Sequence, residues 1–132
     1  MSVINDVLRA VIEYAQAENP YADIVIGSMP ADNGLSIAIG AGGANYTALD
    51  KGMSYELNLV LNGKHHNQQT VADTLNDIHQ ALSQRKEYLN TDEFQITDIS
   101  TITAPNYIGR EPNNQWLYGS SIKVKFYFRK VK

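Results

Sequence analysis

Three histidines are the first residues whose type suggests chemistry, because imidazole nitrogens are frequent metal ligands. His65 and His66 are adjacent, and adjacent side chains of an extended segment point to opposite sides, so the pair is poorly placed to hold one ion. His79 lies beside an apolar helical stripe, which favours a boundary position. The chain has no cysteine, which excludes disulfides, thiolate catalysis and cysteine-based zinc sites. We therefore predict no metal site and no cofactor, and keep a small metal- or ligand-binding α+β domain as the alternative.

Acidic residues and serines also suggest catalysis, but both lack the required context. Asp73 and Asp77 are one helical turn apart, a spacing that suits acid–base work inside a cleft, yet their neighbours are Asn and Gln. No serine lies in a sharp strand-to-helix turn, the position that a hydrolase nucleophile needs. The serines considered are Ser28, Ser36, Ser54, Ser120 and Ser121. We predict that the protein is not an enzyme.

A glycine cluster at Gly40, Gly42 and Gly43 has the composition of a phosphate-binding loop. Such a loop needs a following Lys and Ser or Thr, and a helix N-terminus aimed at the phosphate. Here the cluster lies between two predicted strands, and Lys51 comes too late. We expect residues 40–52 to form a long mobile connection.

The C-terminal segment is locally basic, with cations at alternate positions that would share one face of a strand. Together with Tyr127 they resemble a platform for single-stranded nucleic acid. The alternative is an edge strand protected by lysines, or a sheet face exposed to water. A net charge of −3 and a pI near 5.5 favour this second interpretation. The cations are Lys123, Lys125, Arg129, Lys130 and Lys132.

Aromatic side chains in and beside a polar segment at residues 106–115 are the most informative feature. Tyr107, Trp116 and Tyr118 occur among Asn, Pro and Gly residues. Aromatic residues are enriched at protein–protein contacts, although they equally often close the end of a core. Loops longer than about 12 residues are usually functional or disordered. This segment is therefore a candidate contact surface for assembly.

Hydrophobic periodicity predicts the elements that position these residues. An amphipathic helix with Val7, Leu8 and Val11 on one face ends before Asn19-Pro20, and a second helix runs between about Gln68 and Tyr88. Alternation predicts strands at residues 23–28, 35–39, 53–61, 94–103 and 122–128, the first two joined as a hairpin through Asn33-Gly34. Pro105 ends the fourth strand, and residues 106–115 form a loop or wide hairpin connection.

The element order α-β-β-β-α-β-β predicts an α+β fold. We expect a two-layer sandwich with a mostly antiparallel sheet covered on one face by two helices. Its 132 residues, with 43% hydrophobic and 19% charged, suit a single α+β domain over residues 1–132. The start of the chain lacks the basic and apolar regions of a signal peptide, and no apolar run spans a bilayer. We expect a soluble protein made in the cytoplasm.

The chain resembles the small tail terminator proteins of long-tailed bacteriophages, also described as minor capsid or tail completion proteins. The resemblance is carried by the opening helix around Val7 and Leu8, the strand at residues 55–61, and an Ile-rich strand followed by Pro and an Ile-Gly step at residues 99–110. It continues through the aromatic-rich last strand at residues 116–124. It covers nearly the whole chain apart from residues 40–52.

This resemblance implies a non-enzymatic structural protein of a phage or prophage, located in the neck or tail of the virion and assembled in the bacterial cytoplasm. It implies a hexameric ring that caps the tail tube and connects it to the head. The partners are then further copies of the chain, the tail tube and head-connector proteins, with DNA only as passing cargo and no membrane. Another neck protein, such as a head completion subunit, is the alternative. The candidate contact residues are Asn106, Tyr107, Arg110, Trp116 and Tyr118.

Overall fold

The computed structural model describes residues 3–28, 32–49 and 52–129, with side chains described for residues 4–28, 32–40 and 53–128. It consists of two helices and five strands, and the predicted order α-β-β-β-α-β-β is confirmed. In chain order the elements are α1 (Val3–Gln16), β1 (Ile24–Ile26), β2 (Leu35–Leu49), β3 (Gly52–His65), α2 (Gln68–Ser83), β4 (Phe94–Arg110) and β5 (Trp116–Arg129).

The five strands form one sheet in the order β1-β2-β3-β5-β4. Alternate residues of the strands turn to the same side, where they meet the apolar faces of both helices in one core. The predicted α+β sandwich is therefore confirmed, with a sheet that is antiparallel except at one edge. Among the residues whose side chains are described, the largest fully buried ones in this core are Leu35, Ile37, Leu57, Leu59, Leu61, Leu75, Ile78, Leu82, Ile96, Ile99, Ile122 and Phe126.

The exception is β1, which runs parallel to β2, so the predicted hairpin through Asn33-Gly34 is wrong. The backbone N–H of Asn33 donates to the side chain of Gln115, and the Asn33 side chain accepts from the N–H of His66. The Tyr21 hydroxyl lies 2.9 Å from the carbonyl oxygen of Gly34. These tertiary contacts hold Asn33 and Gly34 against β3 and the β4–β5 turn at the start of β2.

The glycine-rich stretch is strand rather than a mobile connection, so that expectation is wrong as well. β2 continues to Leu49 and pairs with β3 as far as Gly52. The glycines coincide with a β-bulge, because the pairing jumps from Ile39 opposite Leu59 to Ala44 opposite Leu57. At Gly40 a Cβ atom would lie 2.6 Å from Cγ2 of Val60, so the close approach of that side chain requires glycine.

Helix α2 begins as predicted but ends earlier, at Ser83 instead of near Tyr88. Asn67 is its N-cap, with a side chain that accepts a hydrogen bond from the N–H of Thr70. At the other end the hydroxyl of Tyr88 donates to the carbonyl of Leu82. Tyr88 thus folds back to satisfy an orphan carbonyl of the last turn instead of extending the helix.

Strand β4 is longer than predicted and runs through Pro105 to Arg110. It is an edge strand, and its pairing with β5 shifts register on both sides of Thr103. Proline is tolerated at an edge or a bulge, where its missing N–H breaks no ladder bond. Of the predicted loop at residues 106–115, only residues 111–115 connect the strands.

Candidate functional site

The candidate site lies at the end of the β4–β5 hairpin. A tight turn joins the strands, in which the N–H of Glu111 donates to the carbonyl of Gln115 and the N–H of Asn114 donates back to Glu111, each at 2.9 Å. Asn114 adopts a left-handed backbone with a φ of 66°, which asparagine tolerates well. The turn places the last residues of β4 directly beside the first residues of β5.

The five residues singled out from sequence are brought together there. Tyr107 pairs with Tyr118 across the two strands, and Arg110 pairs with Trp116. The Tyr107 ring centre is 5.8 Å from that of Trp116 and 6.1 Å from that of Tyr118, both in tilted or edge arrangements that aromatic pairs prefer. We call Tyr107, Trp116 and Tyr118 the aromatic cluster.

Arg110 lies on the aromatic cluster rather than beside an acid. Its guanidinium carbon is 4.4 Å from the centre of the Trp116 ring, a cation–π contact. One guanidinium nitrogen also lies 3.3 Å from the side-chain oxygen of Asn114. Within the described part of the chain no carboxylate forms an ion pair with Arg110. The site therefore presents a positive charge without a carboxylate partner.

Asn106 has a structural task at this site. Its side-chain amide donates to the carbonyls of Ala104 at 2.9 Å and Gly119 at 3.0 Å. These bonds bridge the register shift around Pro105, where the regular ladder between β4 and β5 is interrupted. Asn106 thereby fixes the strand that carries Tyr107.

The cluster is fixed on one side and open on the other. The hydroxyl of Tyr118 accepts a hydrogen bond from the Gln68 side chain at 2.7 Å, which ties it to the start of α2. Trp116 and Tyr118 are partly buried and pack against the core. Tyr107 is 52% exposed and is the aromatic face that a partner would meet.

A buried polar group supports the hairpin end from behind. Lys64 is buried, and its ammonium group lies 2.9 Å from a carboxylate oxygen of Glu111 in the turn. Gln115 has no exposed surface, and its side chain accepts from the N–H of Asn33 and lies 3.4 Å from Asp32. Because these groups join the hairpin end to β3 and to the connection before β2, the aromatic cluster stands on a rigid base.

The three histidines do not form a metal site in the structure. Both ring nitrogens of His79 are hydrogen-bonded, to Thr101 at 2.8 Å and to Ser120 at 2.7 Å. Nδ1 of His65 accepts from the N–H of Asn67, and burial lowers the pKa of His65, with a smaller contribution from the nearby His66. In the residues that the structure describes, no three His, Asp or Glu side chains are grouped so that they could hold a metal ion.

The candidate acidic pair lies in solvent, and a serine and a histidine that the fold brings together belong to the hydrogen bonding of the core. Asp73 and Asp77 are exposed on α2, where Asp73 accepts from the side chain of Gln69. Ser120 lies against His79, a contact that sequence reasoning missed, but its hydroxyl donates to the carbonyl of Leu61 at 2.8 Å. His79 must then donate to Ser120, which is the reverse of what activation of a nucleophile requires.

The basic strand is central in the sheet, so the expectation of an edge strand protected by lysines is wrong. Lys123 and Lys125 face away from the helices, and both approach Glu56 of β3, at 3.5 and 4.0 Å. The alternative of a solvent-facing sheet face agrees with these contacts. The side chain of Arg129 and residues 130–132 lie outside the described residues.

Comparison with known families identifies the class of protein. Residues 13–128 match the model of the family described as bacteriophage tail terminator protein, and the chain belongs to that family. It is therefore a bacteriophage structural protein and a component of the virion, as the sequence resemblance implied. No helix in the described ranges is both long and apolar enough to cross a membrane.

The fold also matches that of a chain in a solved particle, the virion of a native gene transfer agent. The TM-score is 0.58 at 10% identity, and the match covers 94% of this chain and 91% of the other. At that identity the likeness concerns the fold alone. A comparison with curated protein sequences finds no match.

Proposed function

We propose that copies of this chain assemble into a closed ring, a hexamer, that caps the end of the finished tail tube and joins it to the head. Membership of the tail terminator family supports a role at the end of a tail. A ring of identical subunits needs a surface that binds a different surface of the next copy. The sheet has two open edges of different composition, which suits such an arrangement.

The candidate contact with a neighbouring subunit or with the tail or head is the aromatic cluster with Asn106 and Arg110. Tyr, Trp and Arg are the residues that most often dominate binding energy at interfaces. The single observation that carries the proposal is the stacking of Arg110 on Trp116 beside the exposed Tyr107. An exposed aromatic surface is favourable to cover, and a charge without a carboxylate partner can pair with an acidic side chain of the partner.

The sheet face opposite the helices suits the passage of DNA as cargo. Glu56 lies within 4.0 Å of both Lys123 and Lys125, so the charge of this face is partly neutralised. A channel wall that held phosphates tightly would slow a moving genome, because affinity for DNA grows with each unpaired cation. In the ring, this face turns towards the channel.

The test is assembly on tails that lack the chain. Tail tubes produced without this protein are mixed with the purified protein and imaged by negative-stain electron microscopy. A ring at one end of each tube, together with restored joining to heads, is the expected result. Binding along the tube wall, or a protein that stays monomeric and never enters tails, would overturn the proposal. A ring found on the head portal in the absence of tails would instead indicate a head completion protein.

A further inference from the structure

The two open edges of the sheet carry complementary side chains. β1 forms one edge and β4 the other. If copies are arranged in the ring proposed above, on which this inference rests, each must offer one surface to the preceding copy and another to the next. The chemistry of the two edges indicates which side chains meet.

The β1 edge presents an apolar side chain and an acid. Ile26 is 59% exposed although it lies on the helix-covered side of the sheet, and Asp23, just before β1, is also exposed. No cation forms an ion pair with Asp23 within the described ranges. The N–H of Ile24 is already bound by the side chain of Gln16, so contacts at this edge are made mainly by side chains.

The β4 edge presents the counterparts. Tyr107 is 52% exposed on the same side of the sheet as Ile26, and Arg110 has no carboxylate partner among the described ion pairs. An isoleucine against an aromatic ring buries apolar surface on both sides. An aspartate beside an arginine adds a charge-assisted hydrogen bond.

The strand register places these groups within about two residues of one height, since the row of Ile26 passes through Ser120, two residues from Tyr118. One row of paired residues crosses the sheet from edge to edge through Ile24, Leu35, Gly63, Tyr118 and Tyr107. The next row in the direction of Asp23 runs through Lys64 and Leu117. This row ends on β4 at Gly109, the residue before Arg110. Copies placed side by side therefore need a shift of only one to two residues along the strands to bring Asp23 level with Arg110 and Ile26 level with Tyr107.

We propose that Asp23 and Ile26 of one copy contact Arg110 and Tyr107 of the next copy, and that this contact closes the ring. A contact between two different surfaces of one chain generates a ring when its rotation closes. Tyr107 of the aromatic cluster thus contacts a second copy of the chain. Trp116 and Tyr118 hold the receiving surface in place.

Cross-linking tests the contact directly, because the chain contains no cysteine. A neighbouring row across the sheet runs from Val25 through Ser36, Asn62 and Gly119, and the exposed Ile108 of β4 covers Gly119. The double variant Val25→Cys/Ile108→Cys is treated with a short bis-maleimide linker on assembled tails. We expect a ladder of covalent oligomers up to the size of the ring. The matched control Val25→Cys/Gln80→Cys, with the second cysteine on the exposed face of α2, should give no ladder.

Charge reversal tests the proposed pair. Asp23→Arg or Arg110→Asp alone should raise the protein concentration needed for ring formation by roughly tenfold, and Asp23→Arg/Arg110→Asp together should restore it to within about threefold. Rings that form in the microscope without a cross-linked ladder, or a double reversal no better than the single ones, would overturn the contact and leave the ring itself standing. Absence of rings from the wild-type protein, free or on tubes, would overturn the proposed function as well.

Discussion

The Nε2 atom of His79 lies 2.7 Å from the hydroxyl oxygen of Ser120, inside the core between α2 and the sheet. The Ser120 hydroxyl donates to the carbonyl of Leu61, so Nε2 carries the proton and Nδ1 accepts from Thr101. This ring connects α2 with β4 and β5 and, through the Ser120 hydroxyl, with β3. Burial lowers the pKa of His79 to about 4.

The protein should lose stability in mild acid because of His79. The unfolded histidine takes up a proton near pH 6.5, whereas the folded one does so near its pKa of about 4. The unfolded state therefore binds more protons between these values, and the free energy of unfolding should fall by about 2 to 3 kcal/mol as pH drops from 6.5 to 4. Urea unfolding followed by circular dichroism across this range measures it. His79→Gln should lose this contribution, while the exposed-site variant His66→Gln should keep it.

Gln115 should contribute more to the stability of the protein than an exposed polar residue does. Gln115→Ala leaves the N–H of Asn33 without its acceptor and removes the contact with Asp32. An unsatisfied buried donor costs about 1 to 3 kcal/mol, so the melting temperature should drop by several degrees. Gln80→Ala, on the exposed side of α2, is the control and should change stability by less than about 0.5 kcal/mol. Equal effects of the two variants would contradict the structure.

Gly119→Ala should lower the stability of the protein, and shortening the Ile108 side chain should recover part of that loss. A Cβ on Gly119 would overlap Cδ1 of Ile108, which covers it, and would lie 2.9 Å from the side-chain oxygen of Asn62. Gly119→Ala should cost about 1 to 3 kcal/mol in thermal unfolding. Ile108 is 54% exposed, so Ile108→Ala alone should cost less, and the double variant should recover part of the Gly119→Ala loss. A strictly additive double variant would show that the two residues are not in contact.

The purified protein should bind DNA weakly. Glu56 lies beside Lys123 and Lys125, and the net charge of the chain is −3. Fluorescence anisotropy with a labelled duplex should give a Kd weaker than about 0.1 mM at physiological salt. Glu56→Lys should tighten binding and steepen its salt dependence, because it leaves both lysines without a counter-charge. Tight, salt-sensitive binding by the wild type would contradict the idea of DNA as passing cargo.

Tyr107 should matter for assembly and not for folding. Tyr107 is half-exposed, and Tyr107→Ala removes its contacts with Trp116 and Tyr118, so we expect the melting temperature to fall by only a few degrees. Incorporation into virions, measured by immunoblot of purified particles in a complementation assay, should fall at least severalfold. Leu89→Ala removes a similarly exposed apolar side chain elsewhere and should leave incorporation unchanged. Normal incorporation of Tyr107→Ala would remove the aromatic cluster from the interface.

The parts of the fold that follow from periodicity could be predicted from sequence. In β5 the side chains of Ile122, Val124 and Phe126 alternate with Lys123 and Lys125, and the first set is buried as alternation requires. The apolar stripes of both helices are equally direct. The parallel course of β1 could not be predicted, because the connection before β2 is held by a hydrogen bond that the N–H of Asn33 donates to the side chain of Gln115, a residue distant in sequence.

The types of the side chains identified the candidate site. The geometry of the site could not be predicted, because it depends on strand pairing that no local sequence pattern encodes. Tyr107, Trp116 and Tyr118 stood out as aromatic residues among polar ones. Their contact with Arg110 depends on a register shift between Tyr107 and Gly109 that nothing in the alternation encodes. The hydrogen bonds of His79 were missed for the same reason. Its one signal was a polar residue inside an apolar helical stripe, one turn from Leu75 and Leu82.

The parallel pairing of β1 with β2 also determines how the pattern of strand directions would repeat. Across the sheet β1 and β2 point one way, β3 the other, β5 back again and β4 the other. The two outermost strands are thus opposed, and a second molecule in the same orientation sets an ascending β1 beside a descending β4. Had β1 closed an ordinary hairpin, that seam would join strands of equal polarity. The three-residue strand β1 therefore lets the seam proposed between copies join two strands of opposite polarity.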